Sequence, residues 1–192
     1  MKKLMIAAVA VLGMLSANAQ DANTSIVAGY TASTMTAEVE VSGNNGSADM
    51  DASGFFVGLT HDIAINDEYT FTPGIIYTST EFDDMDDKIE TLQIPLFIKR
   101  NLNDKFALLA GPKLDYILNT ESSEDEFVND LALALGLGLE FNITEQIALV
   151  ANYSFQLTNS LTSEGEEATL GSVSGDASVK FNYLNIGLAY KF

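Results

Sequence analysis

The sequence predicts an all-β protein: a single eight-stranded antiparallel up-and-down transmembrane β-barrel. Three observations carry that expectation. Large apolar residues recur at every second position in segments of about ten residues, short and long connections alternate between those segments, and the last segment ends the chain on an aromatic residue. Side chains along a strand point to opposite faces in turn, so each segment has one apolar face and one small or polar face.

The first residues set the compartment. Lys2 and Lys3 precede an apolar run from Leu4 to Leu15, and Ala17-Asn18-Ala19 supplies small residues before Gln20. This is the pattern of a secretory signal peptide, residues 1–19, with Ala17, Ala19 and Gln20 marking the cleavage point and residues 20–192 forming the barrel domain. The apolar run is shorter than the roughly 20 residues that a helix needs to span a bilayer. No cysteine is present, which excludes disulfides, thiolate metal sites and lipid-modified cysteine. The formal net charge is −18, and it becomes more negative when Lys2 and Lys3 leave. Such a chain repels nucleic-acid phosphates, so nucleic acid is excluded as a partner.

The first strand, near Ser25–Thr36, is the weakest, with Ile26, Ala28, Tyr30 and Ala32 as its outward face. The second opposes Phe55, Val57, Leu59 and Ile63 to Gly54, Gly58, Thr60 and Asp62. The third sets Tyr69, Phe71, Pro73, Ile75 and Tyr77 against Thr70, Thr72, Gly74, Ile76 and Thr78. The fourth alternates Leu92, Ile94, Leu96 and Ile98 with Gln93, Pro95, Phe97 and Lys99. The fifth places Phe106, Leu108, Ala110, Pro112, Leu114 and Tyr116 opposite Gly111, Lys113 and Asp115. Proline and glycine at Pro73-Gly74, Pro95 and Gly111-Pro112 argue against regular pairing at those points.

The sixth strand has the sharpest pattern. Leu131, Leu133, Leu135, Leu137, Leu139 and Phe141 alternate with Ala132, Ala134, Gly136, Gly138 and Glu140. In the seventh, Ile147, Leu149, Ala151, Tyr153 and Phe155 oppose Ala148, Asn152, Ser154 and Gln156. The eighth runs from about Val179 to the terminus, with Leu184, Ile186, Leu188, Tyr190 and Phe192 on one side.

Three connections are short and alike: Ile65-Asn66-Asp67-Glu68, Leu102-Asn103-Asp104-Lys105 and Ile143-Thr144-Glu145-Gln146. They recur about every 40 residues, but each period holds two strands, against four for a propeller blade. Four connections are long and polar: Glu38–Ser53, Glu81–Asp87, Asn119–Asp130 and Asn159–Ala177. Short turns at one end and long loops at the other is the arrangement of outer-membrane barrels, with the long loops extracellular. The loops hold most of the 27 acids. Solvation and mutual repulsion are the ordinary role of such a cluster, and loose bridging by divalent cations is expected there. Asp49-Met50-Asp51-Ala52-Ser53-Gly54 resembles the start of a calcium loop, but Thr60 stands where a bidentate Glu belongs.

The terminal GLAYKF, the stretch LQIPLFIKRNLNDKFALLAGPKLDY and the signal peptide together resemble the porin-family outer-membrane β-barrel domain, of the OmpA- and OmpX-like size class. The resemblance covers essentially the whole mature chain. It implies a cell outer membrane location in a Gram-negative bacterium, with membrane lipid and lipopolysaccharide as surroundings. It also implies that Phe192, Tyr190 and Leu188 form the signal read by the barrel-insertion machinery.

A soluble barrel with the Leu/Phe face turned inward is the competing architecture. Eight strands leave interior room for one layer of side chains or a small ligand, so the glycine-rich face fits the interior and the bulky face belongs in lipid. The interior set is then Asp62, Lys99, Lys113, Asp115, Glu140, Asn152, Gln156, Asn185 and Lys191, whose charges need opposite partners. They are read as a structural network, with a narrow pore lining as the alternative. His61 lies on the outward parity of its strand near a short turn, an interfacial position unsuited to catalysis. No catalytic residue, metal site or cofactor is expected. The leading function is a non-enzymatic structural or surface-interaction protein working through acidic extracellular loops; the alternative is a narrow, cation-preferring, porin-like channel for small solutes. The extracellular partner is not legible.

Overall fold

The computed structural model describes residues 23–41, 44–82, 88–118, 129–162, 167, 169–170 and 175–192. The predicted signal peptide with Ala17, Ala19 and Gln20, and most of the acids of the last three predicted loops, lie outside the described residues. Nine strand segments make the wall: β1 Thr24–Val41, β2 Asn44–His61, β3 Ile63–Ala64, β4 Tyr69–Phe82, β5 Lys88–Asn101, β6 Phe106–Ile117, β7 Leu131–Asn142, β8 Ile147–Gln156 and β9 Gly175–Lys191. β3 continues β2 past a one-residue break at Asp62, so the segments form eight staves. Neighbours pair antiparallel in the order β2-β1-β9-β8-β7-β6-β5-β4-β3, and a β2–β4 pairing closes the sheet on itself. Within the closed part of the barrel each stave is flanked on both sides, which removes the edge that hydrocarbon would leave without hydrogen-bond partners.

The alternation in the sequence becomes the two faces of the wall. Leu131, Leu133, Leu135, Leu137 and Leu139 are exposed on the outside, as are Leu108, Leu149, Leu184, Ile186 and Leu188. Between them Ala132, Ala134, Ala148 and Ala189 are buried inside. Aromatic residues lie toward both ends of the apolar belt. Phe106 stacks on Phe141 at 4.8 Å and Tyr190 on Phe192 at 5.6 Å toward the short-turn end, with Tyr153 on Phe155 at 4.6 Å toward the other. Such girdles sit where hydrocarbon meets headgroups.

The three short turns share one mechanism. Asn66 Oδ1 accepts the amides of Glu68 and Tyr69, and Asn103 Oδ1 accepts those of Lys105 and Phe106. Thr144 Oγ1 does the same for Gln146 and Ile147. A short side-chain acceptor thus replaces a backbone carbonyl in each turn.

Two predicted loops are corrected by the structure. Glu38–Ser53 is not a long loop: β1 runs to Val41 and β2 starts at Asn44, paired from Thr24↔His61 through Val41↔Asn44. The physical reason is the continued alternation of Met35, Ala37, Val39 and Val41 with Thr36, Glu38 and Glu40, which the density of acids obscures. The strand also removes the calcium-loop reading, because Asp49 and Asp51 lie in an extended segment opposite Thr36 and Thr34. The last strand begins at Gly175, within the predicted fourth loop, and pairs with β1 from Val41↔Gly175 onward. The proline positions behave as expected: the β4–β5 ladder skips from Pro73↔Leu96 to Ile76↔Gln93, and the β5–β6 ladder skips from Pro95↔Lys113 to Ile98↔Ala110. A proline has no N–H to give the ladder.

Candidate functional site

The barrel interior gathers the predicted residues into three groups, ordered from the short-turn end. In the first, Asp62, Lys99, Glu140 and Lys191 alternate in charge across four staves. Lys99 Nζ is paired with Asp62 Oδ2 and lies 3.3 Å from Glu140 Oε2. Lys191 Nζ donates to Glu140 Oε1 at 2.7 Å and to Asn142 Oδ1 at 2.8 Å. Thr72 Oγ1 donates to the other Asp62 oxygen at 2.8 Å. Two carboxylates and two ammoniums balance formally, with Lys99 and Glu140 buried and Asp62 and Lys191 half-buried at the two ends of the chain. Charges removed from water persist only when paired in this way.

The second group is an apolar cluster of Val27, Phe56, Ile76, Ala148 and Ala189, with Val150 against it. Phe97 adds its ring from β5 and occupies the space above Gly136, where an added Cβ would come within 2.5 Å of the ring. Gly136 is therefore a seat for an aromatic plug. A cavity of about 50 Å³ remains between this layer and Asp62, Lys99 and Glu140, with Asn152 half-buried on its wall. That volume suits a few water molecules.

The third group lies toward the long-loop end. Lys113 Nζ donates to Ser154 Oγ at 2.6 Å, sits 3.2 Å from Asp115 Oδ1, and faces the Tyr183 ring at 4.7 Å. Tyr183 Oη is 3.3 Å from Thr91 Oγ1, and Asn185 Nδ2 donates to Gln93 Oε1 at 3.1 Å. Gln156 ends the stack: its Nε2 donates to Ser160 Oγ at 2.7 Å and its Oε1 accepts the Phe181 amide.

All nine interior residues predicted from the sequence face inward, but they do not form one network. Asp62, Lys99, Glu140 and Lys191 meet; Lys113 and Asp115 meet elsewhere; Asn185 and Gln156 have separate partners, and Asn152 lines the small cavity. Gln93, Ser154, Tyr183 and the Phe97 plug were not singled out beforehand. Each stands on the inward parity of its strand, and that parity was the available signal.

His61 is buried on the outward parity. It stands opposite Thr24, whose Oγ1 is 2.9 Å from His61 Nδ1. The adjacent Asp62 carboxylate bonds Thr72 and Lys99 instead. An orienting carboxylate and a histidine on opposite faces of one strand do not make a catalytic pair.

Comparison with known proteins matches this architecture. A family model of the outer membrane protein beta-barrel domain matches residues 7–192. Among solved structures the chain is similar to Neisserial surface protein A, at 16% identity over 88% of this chain and 97% of that one, with a TM-score of 0.51. OprG from Pseudomonas aeruginosa is 15% identical over 88% and 95% of the two chains, with a TM-score of 0.46. Ail of Yersinia pestis is 15% identical over 86% and 98%, with a TM-score of 0.43. The search of curated proteins found no match.

Proposed function

The chain belongs to the outer membrane protein beta-barrel domain family and resides in the cell outer membrane, and from that premise we propose that it is a non-enzymatic barrel whose work is done at its outward face. Short turns face the periplasm in this reading, while the β1–β2 hairpin and the long acidic connections face the outside. The observation that carries it is the filled interior. The interior is occupied by the Asp62–Lys99–Glu140–Lys191 chain, the Phe56–Ile76 cluster with Phe97, and the Lys113–Asp115–Tyr183 group. The cavity beside Phe97 has a volume of only about 50 Å³, and the Phe97 ring lies against Gly136. A solute would have to displace packed side chains and break buried ion pairs. Eight strands leave no further room for it.

The experiment is conductance of the refolded mature protein in a planar bilayer, with insertion established by heat-modifiable gel migration. A silent bilayer is expected. Steady cation-selective steps would overturn the reading in favour of the channel.

A further inference from the structure

The wall is not of even height. β1 and β2 are 18 residues each and β9 is 17, against 12, 12 and 10 for β6, β7 and β8. β9, β1 and β2 therefore run on as a three-stranded extension beyond the closed barrel. On its β9 flank the extension is covered: Asn159 Oδ1 accepts the Val179 amide, and Ser160 N donates to Val179 O. On its β2 flank the pairing with β4 stops at Ala52↔Phe82. Among the described residues, no strand flanks the other side of Asn44–Asp51, and all eight residues are exposed. At Gly46 an added Cβ meets nothing within 4 Å. Eight residues at strand rise give about 26 Å of backbone edge without a strand partner among the described residues.

The two faces of the extension differ. Glu38, Glu40, Asp49, Asp51 and Asp176 share one face by register, with Lys180 as the opposing charge. A groove of about 270 Å³ opens on that face among Glu38, Glu40, Asn45, Ser47, Asp176 and Ser178. The other face presents Gly46, Ala48 and Met50 along the edge strand. Natural edges are commonly blunted with lysine, proline or a bulge; the Asn44–Asp51 segment has none of these, and its charges are both negative. A second copy pairing edge to edge would bring a second set of acids onto the same acidic face, with no base on the edge strand to offset them. A basic strand would find the reverse.

We propose that the Asn44–Asp51 edge of β2 docks an extended segment of a partner protein in which lysine or arginine alternates with small apolar residues. Backbone hydrogen bonds to the free edge would supply the attachment. The alternating side chains would supply the choice, with basic residues beside Asp49, Asp51 and the groove and apolar residues beside Ala48 and Met50. The proposal deepens the outward-face reading and rests on it. Bilayer conductance tests that reading separately, so the two can fail independently.

The test uses the mature barrel in lipid nanodiscs and an eight-residue peptide alternating lysine and valine, read by fluorescence anisotropy and amide hydrogen exchange. Slowed exchange confined to residues 44–51 is expected on adding the peptide. Methylating alternate backbone nitrogens of the peptide, in whichever register faces the edge, should weaken binding at least tenfold with its charge unchanged. Asp49→Lys with Asp51→Lys should do the same while heat-modifiable migration stays normal. Equal binding of both methylated registers would overturn edge pairing and leave charge attraction alone. Equal binding by the charge-reversed variant, protection elsewhere in the protein, or edge-to-edge dimers without peptide would each overturn the proposal.

Discussion

Lys99 is the residue on which the periplasmic end of the interior depends. Its ammonium stands between Asp62 and Glu140, and only 5% of its side chain is exposed. Replacing it with methionine keeps the volume but leaves two acids short of a cation, Glu140 retaining Lys191 and Asp62 retaining only the Thr72 hydroxyl. Breaking a buried pair from one side costs about 3 kcal/mol or more. Lys99→Met should therefore lower the midpoint of urea unfolding in vesicles, and a second change of Asp62 to Asn should recover part of the loss. An unchanged midpoint would mean that water already screens the pair. At this scale the sequence is legible as parity and no further. The inward position of Lys99 and Glu140 follows from counting along their strands. That Lys99 meets both acids while Lys113 meets Asp115 depends on shear between staves and on which rotamer each long side chain selects. Neither is written in a single strand's pattern.

The turns and the wall are where sequence and structure correspond most directly. Each short turn carries Asn or Thr at its second position, and each uses that side chain to accept two amides. Asn103→Ala removes both acceptor contacts from one turn and should cost about 1–2 kcal/mol. The effect is measured by urea unfolding, and Asn103→Asp should restore most of it; no loss in the alanine variant would assign the turn to strand packing instead. The six staves from Tyr69 onward were legible because large and small residues alternate strongly there. The first hairpin was not. Its outer half replaces leucine with alanine, valine, glycine and glutamate, so the contrast between faces shrinks to a polar one. Acid-rich sequence then looks like loop although its backbone is fully paired on at least one side. The break at Asp62 was also missed; there the amide of Asp62 donates to Asn23 O rather than to β4.

For the whole molecule, the expected insertion signal lies on the C-terminal strand. Phe192 closes the last stave, its amide donating to Thr24 O at 3.0 Å and its ring packing on Tyr190. If Phe192, Tyr190 and Leu188 are read by the insertion machinery, deletion of Phe192 should reduce the folded protein recovered from cell envelopes several-fold, yet leave spontaneous refolding into vesicles nearly unchanged. An equal loss in both settings would make Phe192 a stability residue only. The neutral ionic chain has a consequence in time as well. It ties β7 to β9 through Glu140 and Lys191, and β5 to the Asp62 junction of β2 and β3. Each link crosses the interior between staves two apart, so the chain fastens four of the eight staves across the lumen as well as along the wall. Energy gained after the rate-limiting step of closure acts little on the rate at which a barrel forms and strongly on the rate at which it reopens. Four such side chains would then work as a latch, and Lys99→Met is expected to speed unfolding more than it slows folding, read by the two rates in vesicles.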